Sequence, residues 1–158
     1  MREDADRGES AEEVHARVLE LALAGRRLTA AMAFELQKIK DGRHYAALGY
    51  ASISSYAWAV AEVSSSKLSD LLRITSRAAE LPELMKVFRS GELSYLAATE
   101  VARAATPASE SKWLQLAFTL GISELRRRAQ GKDLEVYRGF RFQGGKHVHV
   151  DDAIDRIR

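Results

Sequence analysis

The sequence has no cysteine, only two prolines, few aromatic residues and no long apolar run; of its 158 residues, 8% are aromatic and 29% charged. Without cysteine the chain cannot form a disulfide framework, a cysteine-ligated zinc site or a cysteine nucleophile. No apolar run approaches the ~20 residues of a membrane-spanning helix, and the acidic first six residues are unlike a signal or transit peptide. These absences predict a soluble, cytoplasmic protein.

Hydrophobic residues make up 46% of the chain, which excludes wholesale disorder. The length fits one or two compact domains. Charge is nearly balanced overall, at +2, but residues 1–30 carry −2 and residues 64–130 carry +3. A mildly basic middle is compatible with a polyanion partner and equally with an ordinary solvated surface.

The apolar residues recur at helical spacing over most of the chain, which predicts a mainly α fold, a compact multi-helix domain. A capping box at Ser10 begins the first helix, which is expected to stop at Gly25. A second helix is expected from Thr29 to Gly42. Further helix starts are predicted at Ser52, in the Ser64–Ser66 run, at Leu81-Pro82, at Ser94, at Thr106-Pro107 and at Ser123.

The C-terminal tail has a different pattern. Residues 136–142 and 147–150 alternate apolar and polar side chains around Gly144-Gly145, which predicts a small β-hairpin, and Asp151 is expected to begin a further helix. The sequence as a whole therefore predicts three segments. They are an N-terminal helical pair over 1–42 that could form a homodimer, a helical domain over 43–131, and the hairpin tail over 132–158.

The segment from Tyr50 to Arg77 has the layout of a helix-turn-helix, with its second helix expected over 64–80. The apolar positions that would join the two helices are Ala57, Ala61, Val63, Leu68 and Leu71. The side chains left facing outward, which could contact phosphates or base edges, are Ser65, Ser66, Lys67, Ser69, Asp70, Arg73 and Arg77. The alternative is a helical hairpin with a merely solvated polar face. Glu62 in the turn and bulky Trp58 both depart from the usual motif.

The densest basic cluster is Arg126, Arg127 and Arg128. Near the end of a short helix these residues complement the helix dipole. Their guanidinium groups are also suited to hold phosphates by bidentate contacts. Both interpretations remain open.

Several short motifs between residues 44 and 130 together resemble a known family. They are Leu48-Gly49-Tyr50-Ala51-Ser52, Leu71-Leu72-Arg73-Ile74, Leu81-Pro82-Glu83-Leu84, Gly91-Glu92-Leu93-Ser94, Ala104-Ala105-Thr106-Pro107, Trp113-Leu114 and Ser123-Glu124-Leu125-Arg126. In order and spacing they resemble the helical N-terminal region of bacterial HNH-endonuclease-like proteins, the DUF222 (13E12 repeat) group. The Gly91–Ser94 and Ser123–Arg126 stretches are similar, more weakly, to the DNA-binding middle of ParB-type partition proteins.

The resemblance implies a DNA-associated helical module but transfers no catalytic residue, because the family's ββα-metal unit lies downstream and no such motif stands in this sequence. The residues themselves contain no phosphate-binding glycine loop and no dinucleotide fingerprint. His147 and His149 share one strand face but lack a third ligand at motif spacing. No metal, cofactor or small-molecule substrate is therefore predicted.

The main hypothesis is a non-catalytic module that binds duplex DNA through Ser65, Ser66, Lys67, Ser69, Arg73 and Arg77, with backbone affinity added by Arg126–Arg128. The alternatives are a protein-interaction or oligomerisation module, and the non-catalytic part of an HNH-type nuclease. The aromatic side chains expected to pack in the core are Tyr56, Trp58, Tyr95, Trp113 and Phe118.

Overall fold

A computed structural model describes residues 8–131 and two strands, 140–143 and 146–149. In this part of the chain the fold is mainly helical, as predicted. The helices are α1 (Ala11–Asp41), α2 (His44–Ala47), α3 (Ile53–Ala61), α4 (Ser65–Thr75), α5 (Pro82–Arg89), α6 (Tyr95–Ala104), α7 (Glu110–Thr119) and α8 (Ile122–Gly131). None of these described helices combines the length and apolar character needed to cross a bilayer.

Serine side chains begin four of the helices at the predicted residues. Ser10 and Ser52 form capping boxes, and the hydroxyls of Ser64 and Ser94 accept hydrogen bonds from Lys67 N and Ala97 N. Each hydroxyl satisfies an amide that has no partner within its own helix, which is why serine is favoured at these positions.

The predicted N-terminal helical pair is wrong, because α1 runs unbroken for 31 residues. Gly25 lies within it at a solvent-facing position where an added Cβ would meet nothing within 4 Å. A single glycine costs a helix about 1 kcal/mol and does not by itself end it. The helix ends instead at Gly42, whose amide donates to Lys38 O and Lys40 O.

Two other predicted boundaries need correction. Helix α4 ends at Thr75 rather than near residue 80, and turns occupy residues 76–80. Helix α7 begins at Glu110 rather than at Thr106-Pro107, and residues 107–109 form a turn in which the Thr106 amide donates to the Ser109 hydroxyl. Local hydrogen bonds from serine and threonine compete here with helix initiation.

Helix α6 is the centre of the core. Seven of its ten residues are buried, and it packs against α1, α4, α5, α7 and α8. The largest fully buried side chains include Trp113 and Phe88. The burial predicted for Trp58 and Phe118 is wrong, since their exposed fractions are 62% and 52%.

The turn before α6 anchors the middle of α1. Gly91 has a φ of +78°, and a Cβ there would approach Leu23 O and Arg27 Cγ to 3.0 Å. The guanidinium groups of Arg26 and Arg27 donate to Gly91 O and Ser90 O. Only glycine permits this close approach in a left-handed conformation. N-terminal to this anchor, every residue of α1 from Ala11 to Ala22 is exposed.

Strands β1 (Phe140–Gln143) and β2 (Lys146–His149) pair antiparallel, with Phe140 opposite His149 and Gln143 opposite Lys146. They lie within the segment where the sequence predicts a hairpin. The rest of that segment, and the helix predicted from Asp151, lie outside the described residues.

Candidate nucleic-acid interface

Helices α3 and α4 meet through the apolar positions expected of a helix-turn-helix. Ala57, Val63, Leu68 and Leu71 are buried, and Ala61 is half-buried. The Val63 amide donates to Ala57 O at 3.1 Å, which closes the turn over the end of α3. The joint between these two helices is therefore a packed hydrophobic seam.

Glu62 ends α3 in the left-handed region, with φ 53° and ψ 27°. Glycine adopts this conformation without strain, whereas a side chain makes it less favourable. The structure thus forms the sharp bend with an unfavourable residue, and burial of Val63 immediately afterwards compensates for it.

One face of α4 is open to solvent and carries hydroxyl groups and one cation. Its exposed residues are Ser65, Ser66, Ser69 and Arg73, followed by Ser76 just beyond the helix end. None of these is acidic, and Asp70 lies half-buried at the edge of the face. We call these five exposed residues the α4 face.

Arg73 is the cation of the α4 face. It is exposed and, within the part of the chain that the structure describes, forms no hydrogen bond or ion pair through its side chain. Lys67 is half-buried, and its Nζ lies 5.1 Å from the centroid of the Tyr95 ring. That cation–π contact holds the Lys67 ammonium against α6, at the edge of the α4 face.

Arg77, which the sequence predicts to contact DNA, is instead engaged within the protein. Its side chain is only 24% exposed, and its guanidinium donates to Ala102 O at 2.7 Å and Ala105 O at 2.9 Å and pairs with Glu80. Arg77 thereby satisfies carbonyl groups at the C-terminal end of α6, which the helix itself leaves unpaired. Its role is to join the turn after α4 to α6.

The arginine cluster is also engaged within the protein rather than displayed as a unit. Arg126 Nε donates to Glu100 Oε1 at 3.0 Å, and Arg127 makes two hydrogen bonds to Glu124. Arg128 is buried, with a side chain 3% exposed, and donates to Glu124 at 3.1 Å. The predicted phosphate-holding role is therefore contradicted for Arg128 and opposed by neighbouring carboxylates for Arg126 and Arg127.

Hydrogen bonds and charge from Arg127 and Arg128 lower the pKa of Glu124 from 4.5 to about 2, against the opposing effect of burial. A carboxylate whose pKa falls on folding stabilises the native state above its unfolded pKa and loses that stabilisation as the pH falls towards the folded value.

We therefore expect Glu124→Gln to remove about 1–2 kcal/mol of stability at pH 7, a figure reduced for solvent because the Arg127 side chain is 60% exposed. The difference from the parent should shrink between about pH 5 and pH 2. Urea unfolding at several pH values measures it. The control is Glu92→Gln, an exposed side chain without an ion pair among the described residues; an equal pH trend in this control would contradict the interpretation.

Two buried carboxylates were not predicted from sequence. Glu100, 2% exposed, lies between Arg103 and Arg126, and Glu110, 6% exposed, accepts from Leu84 N at 2.7 Å and so caps α5 from a neighbouring helix. For Glu100 a signal is present, because most of its neighbours on α6 are small or apolar residues, among them Ala97, Val101 and Ala104. For Glu110 nothing local indicates the contact, which joins residues 26 positions apart.

A comparison of the chain with protein-family models, with curated proteins and with solved structures found no match. The resemblances to the HNH-endonuclease-like group and to ParB-type proteins therefore stay predictions. The described residues contain no group of three His, Asp or Glu side chains placed to hold a metal ion.

Proposed function

We propose that this chain is a non-catalytic helical module that binds duplex DNA through the α4 face. The observation that supports it is a solvent-facing helix surface with serines in its first turns and an Arg73 that pairs with no described side chain, held outward by the α3–α4 seam; its one carboxylate, Asp70, lies half-buried at the edge. The proposed site comprises Ser65, Ser66, Ser69 and Arg73, with Lys67 at its edge. Arg77 and Arg128 are excluded from it.

The chemistry of the face suits the DNA backbone. Amides of the first turn and the hydroxyls of Ser65 and Ser66 donate hydrogen bonds, and the positive end of the helix dipole favours an anion there. Serines are short, so they allow the helix to approach a groove closely. Arg73, two turns after Ser66, can bind a phosphate or a guanine edge.

The small number of cations on the α4 face limits the expected affinity for duplex DNA. Each phosphate neutralised by a protein cation contributes about 0.9 to the slope of log K against log salt. With one or two such contacts in each copy, binding to random duplex should be weak and only moderately sensitive to salt.

Fluorescence anisotropy with a labelled duplex at about 50 and 150 mM salt tests the proposal. Arg73→Glu should weaken binding by roughly tenfold or more, because it replaces an attraction to phosphate by a repulsion. Arg73→Ala should flatten the salt slope by about 0.9 for each phosphate that the arginine neutralises in the parent complex.

The matched control is Lys112→Glu, which reverses the charge of an exposed side chain on α7. It should leave affinity within about twofold of the parent, because only screened long-range charge is altered. Equal weakening in the two variants would show attraction to net charge alone and would overturn the α4 proposal, as would absence of binding by the parent.

A second candidate function is an assembly module, and a separate observation favours it. The exposed large hydrophobic side chains include Val14, Val18, Leu21, Leu28 and Met32 of α1. A contiguous apolar surface of this kind is typical of an interaction site. Membership of an HNH-type nuclease stays a prediction of the sequence resemblance.

A further inference from the structure

The exposed apolar residues of α1 form one continuous line. Val14, Val18, Leu21, Gly25, Leu28 and Met32 are separated by steps of four and three residues, which is the a/d spacing of a coiled coil. The exposed fractions are 55% for Val18, 71% for Leu21 and 69% for Leu28. We call these six residues the α1 stripe.

The stripe faces away from the core. Of the buried residues of α1, Ala30 and Ala33 lie on the opposite side of the helix from Leu21 and Leu28 at about 100° per residue, and Leu36 lies beyond the C-terminal end of the stripe. Packing within the described chain therefore leaves the stripe uncovered. A helix needs only one apolar face to join its own domain, so the second face is available to a partner.

We propose that the α1 stripe binds the α1 stripe of a second copy of this chain, with the two helices antiparallel and Leu21 of each opposite Gly25 of the other. This inference rests on the assembly function proposed above and specifies its partner and geometry. It does not depend on DNA binding.

Charge favours the antiparallel arrangement. In residues 11–20, Glu12, Glu13 and Glu20 outweigh Arg17 and leave −2. In residues 26–35, which this register places opposite residues 11–20, the basic side chains Arg26 and Arg27 outweigh Glu35 and leave +1. An antiparallel pair places the acidic half of each helix beside the basic half of the other, whereas a parallel pair places like charges together.

The steps of four and three residues occur in the same order from either end of the stripe. In one antiparallel register, every residue of the stripe therefore lies opposite a stripe residue of the second copy. With Leu21 opposite Gly25, Val18 lies opposite Leu28 and Val14 opposite Met32. Each layer then combines an a position with a d position, as antiparallel coiled coils require. Gly25, with open space around it, receives the leucine, whereas a parallel pair would place glycine against glycine and leave a gap.

The available surface suits a modest dimer. The stripe spans 19 residues, or about 28 Å of helix, and two such faces would bury roughly 1,000 Å², near the lower bound for a specific interface. An open depression of about 550 Å³, lined by Leu28, Met32, Phe34 and Arg89 among others, lies at the C-terminal end of the stripe. The proposed register brings Val14 of the second copy to this end.

Sedimentation equilibrium of the full chain at about 10–200 μM tests self-association. These concentrations are suitable because a dimer with an interface of this size is expected to dissociate in the micromolar region. Leu21→Asp should raise the dissociation constant by more than about 100-fold, because it places a charge in an apolar layer twice per dimer. The control is Leu19→Asp, whose parent side chain is also exposed on α1, at 56%, but lies off the stripe. Leu19→Asp should change the constant by less than about threefold.

Disulfide trapping tests the orientation, since the chain has no native cysteine. Val18→Cys and Leu28→Cys are prepared separately and oxidised alone or mixed. The antiparallel register predicts a covalent dimer only in the mixture, because a disulfide requires Cβ atoms about 3.5–4.5 Å apart. A parallel pair would instead cross-link each variant with itself.

The outcomes separate the two proposals. A parent that remains monomeric, or equal effects of Leu19→Asp and Leu21→Asp, overturns self-association through the stripe. A dimer whose single-cysteine variants cross-link alone leaves the assembly function standing and overturns the antiparallel register. A dimer that cross-links only in the mixture supports both.

Discussion

Replacing Trp113 by alanine is expected to lower the free energy of unfolding by about 3–5 kcal/mol, the usual cost of truncating a large buried aromatic side chain. Trp113 lies on α7, is 1% exposed and is the largest of the fully buried side chains. Its removal leaves a cavity at the junction of α7 with the core and also forfeits burial of the indole. Chemical denaturation followed by circular dichroism measures the difference in stability.

The chain supplies its own matched control, because its only other tryptophan, Trp58, is 62% exposed. Trp58→Ala should cost no more than about 0.5 kcal/mol, as surface substitutions usually do. Each variant retains one tryptophan, so fluorescence distinguishes the sites: the emission of Trp113 should be blue-shifted relative to that of Trp58. Similar destabilisation of the two variants would contradict the described core.

Removing both arginine partners of Glu100 is expected to have the second large effect on the free energy of unfolding. Arg126 Nε lies 3.0 Å from one carboxylate oxygen and Arg103 Nε 3.4 Å from the other, while the Glu100 side chain is 3% exposed. The double variant Arg103→Ala/Arg126→Ala leaves a buried carboxylate without these counter-charges. We expect it to be destabilised by about 3–5 kcal/mol, the range found when one side of a buried ion pair is removed.

Two controls identify the cause. Adding Glu100→Met to the double variant should recover most of the stability, since an apolar side chain of similar size needs no partner. Arg73→Ala/Lys112→Ala, which removes two exposed cations, should cost less than about 1 kcal/mol in total. If the Glu100→Met triple variant is no more stable than the double variant, the buried charge is not the source of the effect.

This ion-pair network explains why Arg126, Arg127 and Arg128 do not form one exposed basic cluster. Three consecutive arginines look like a display of positive charge, yet successive residues on a helix point in directions about 100° apart. One of them, Arg128, therefore faces inward, and the other two meet Glu100 and Glu124. Glu100 is 26 residues away from Arg126 in sequence, and nothing near the cluster indicates it.

Local signals were reliable where the chemistry is local. Serine caps at Ser10, Ser52, Ser64 and Ser94 were located from sequence, because a cap depends only on a hydroxyl and an amide three residues later. The buried positions of the α3–α4 seam also followed from helical spacing. The stop expected at Gly25 failed because a helix continues through one glycine when the rest of its length is stabilised by packing further along.

The helical class, the serine caps and the apolar seams were thus determined by short stretches of sequence, since each depends on atoms a few residues apart. The surroundings of each charged side chain were not determined by short stretches of sequence. Arg73, Arg77 and Arg128 are the same residue type within one small protein, yet one faces solvent, one caps α6 and one is buried beside Glu124. That difference depends on which distant backbone and carboxylate groups the folded helices bring within reach, and so it belongs to the packing of the whole domain.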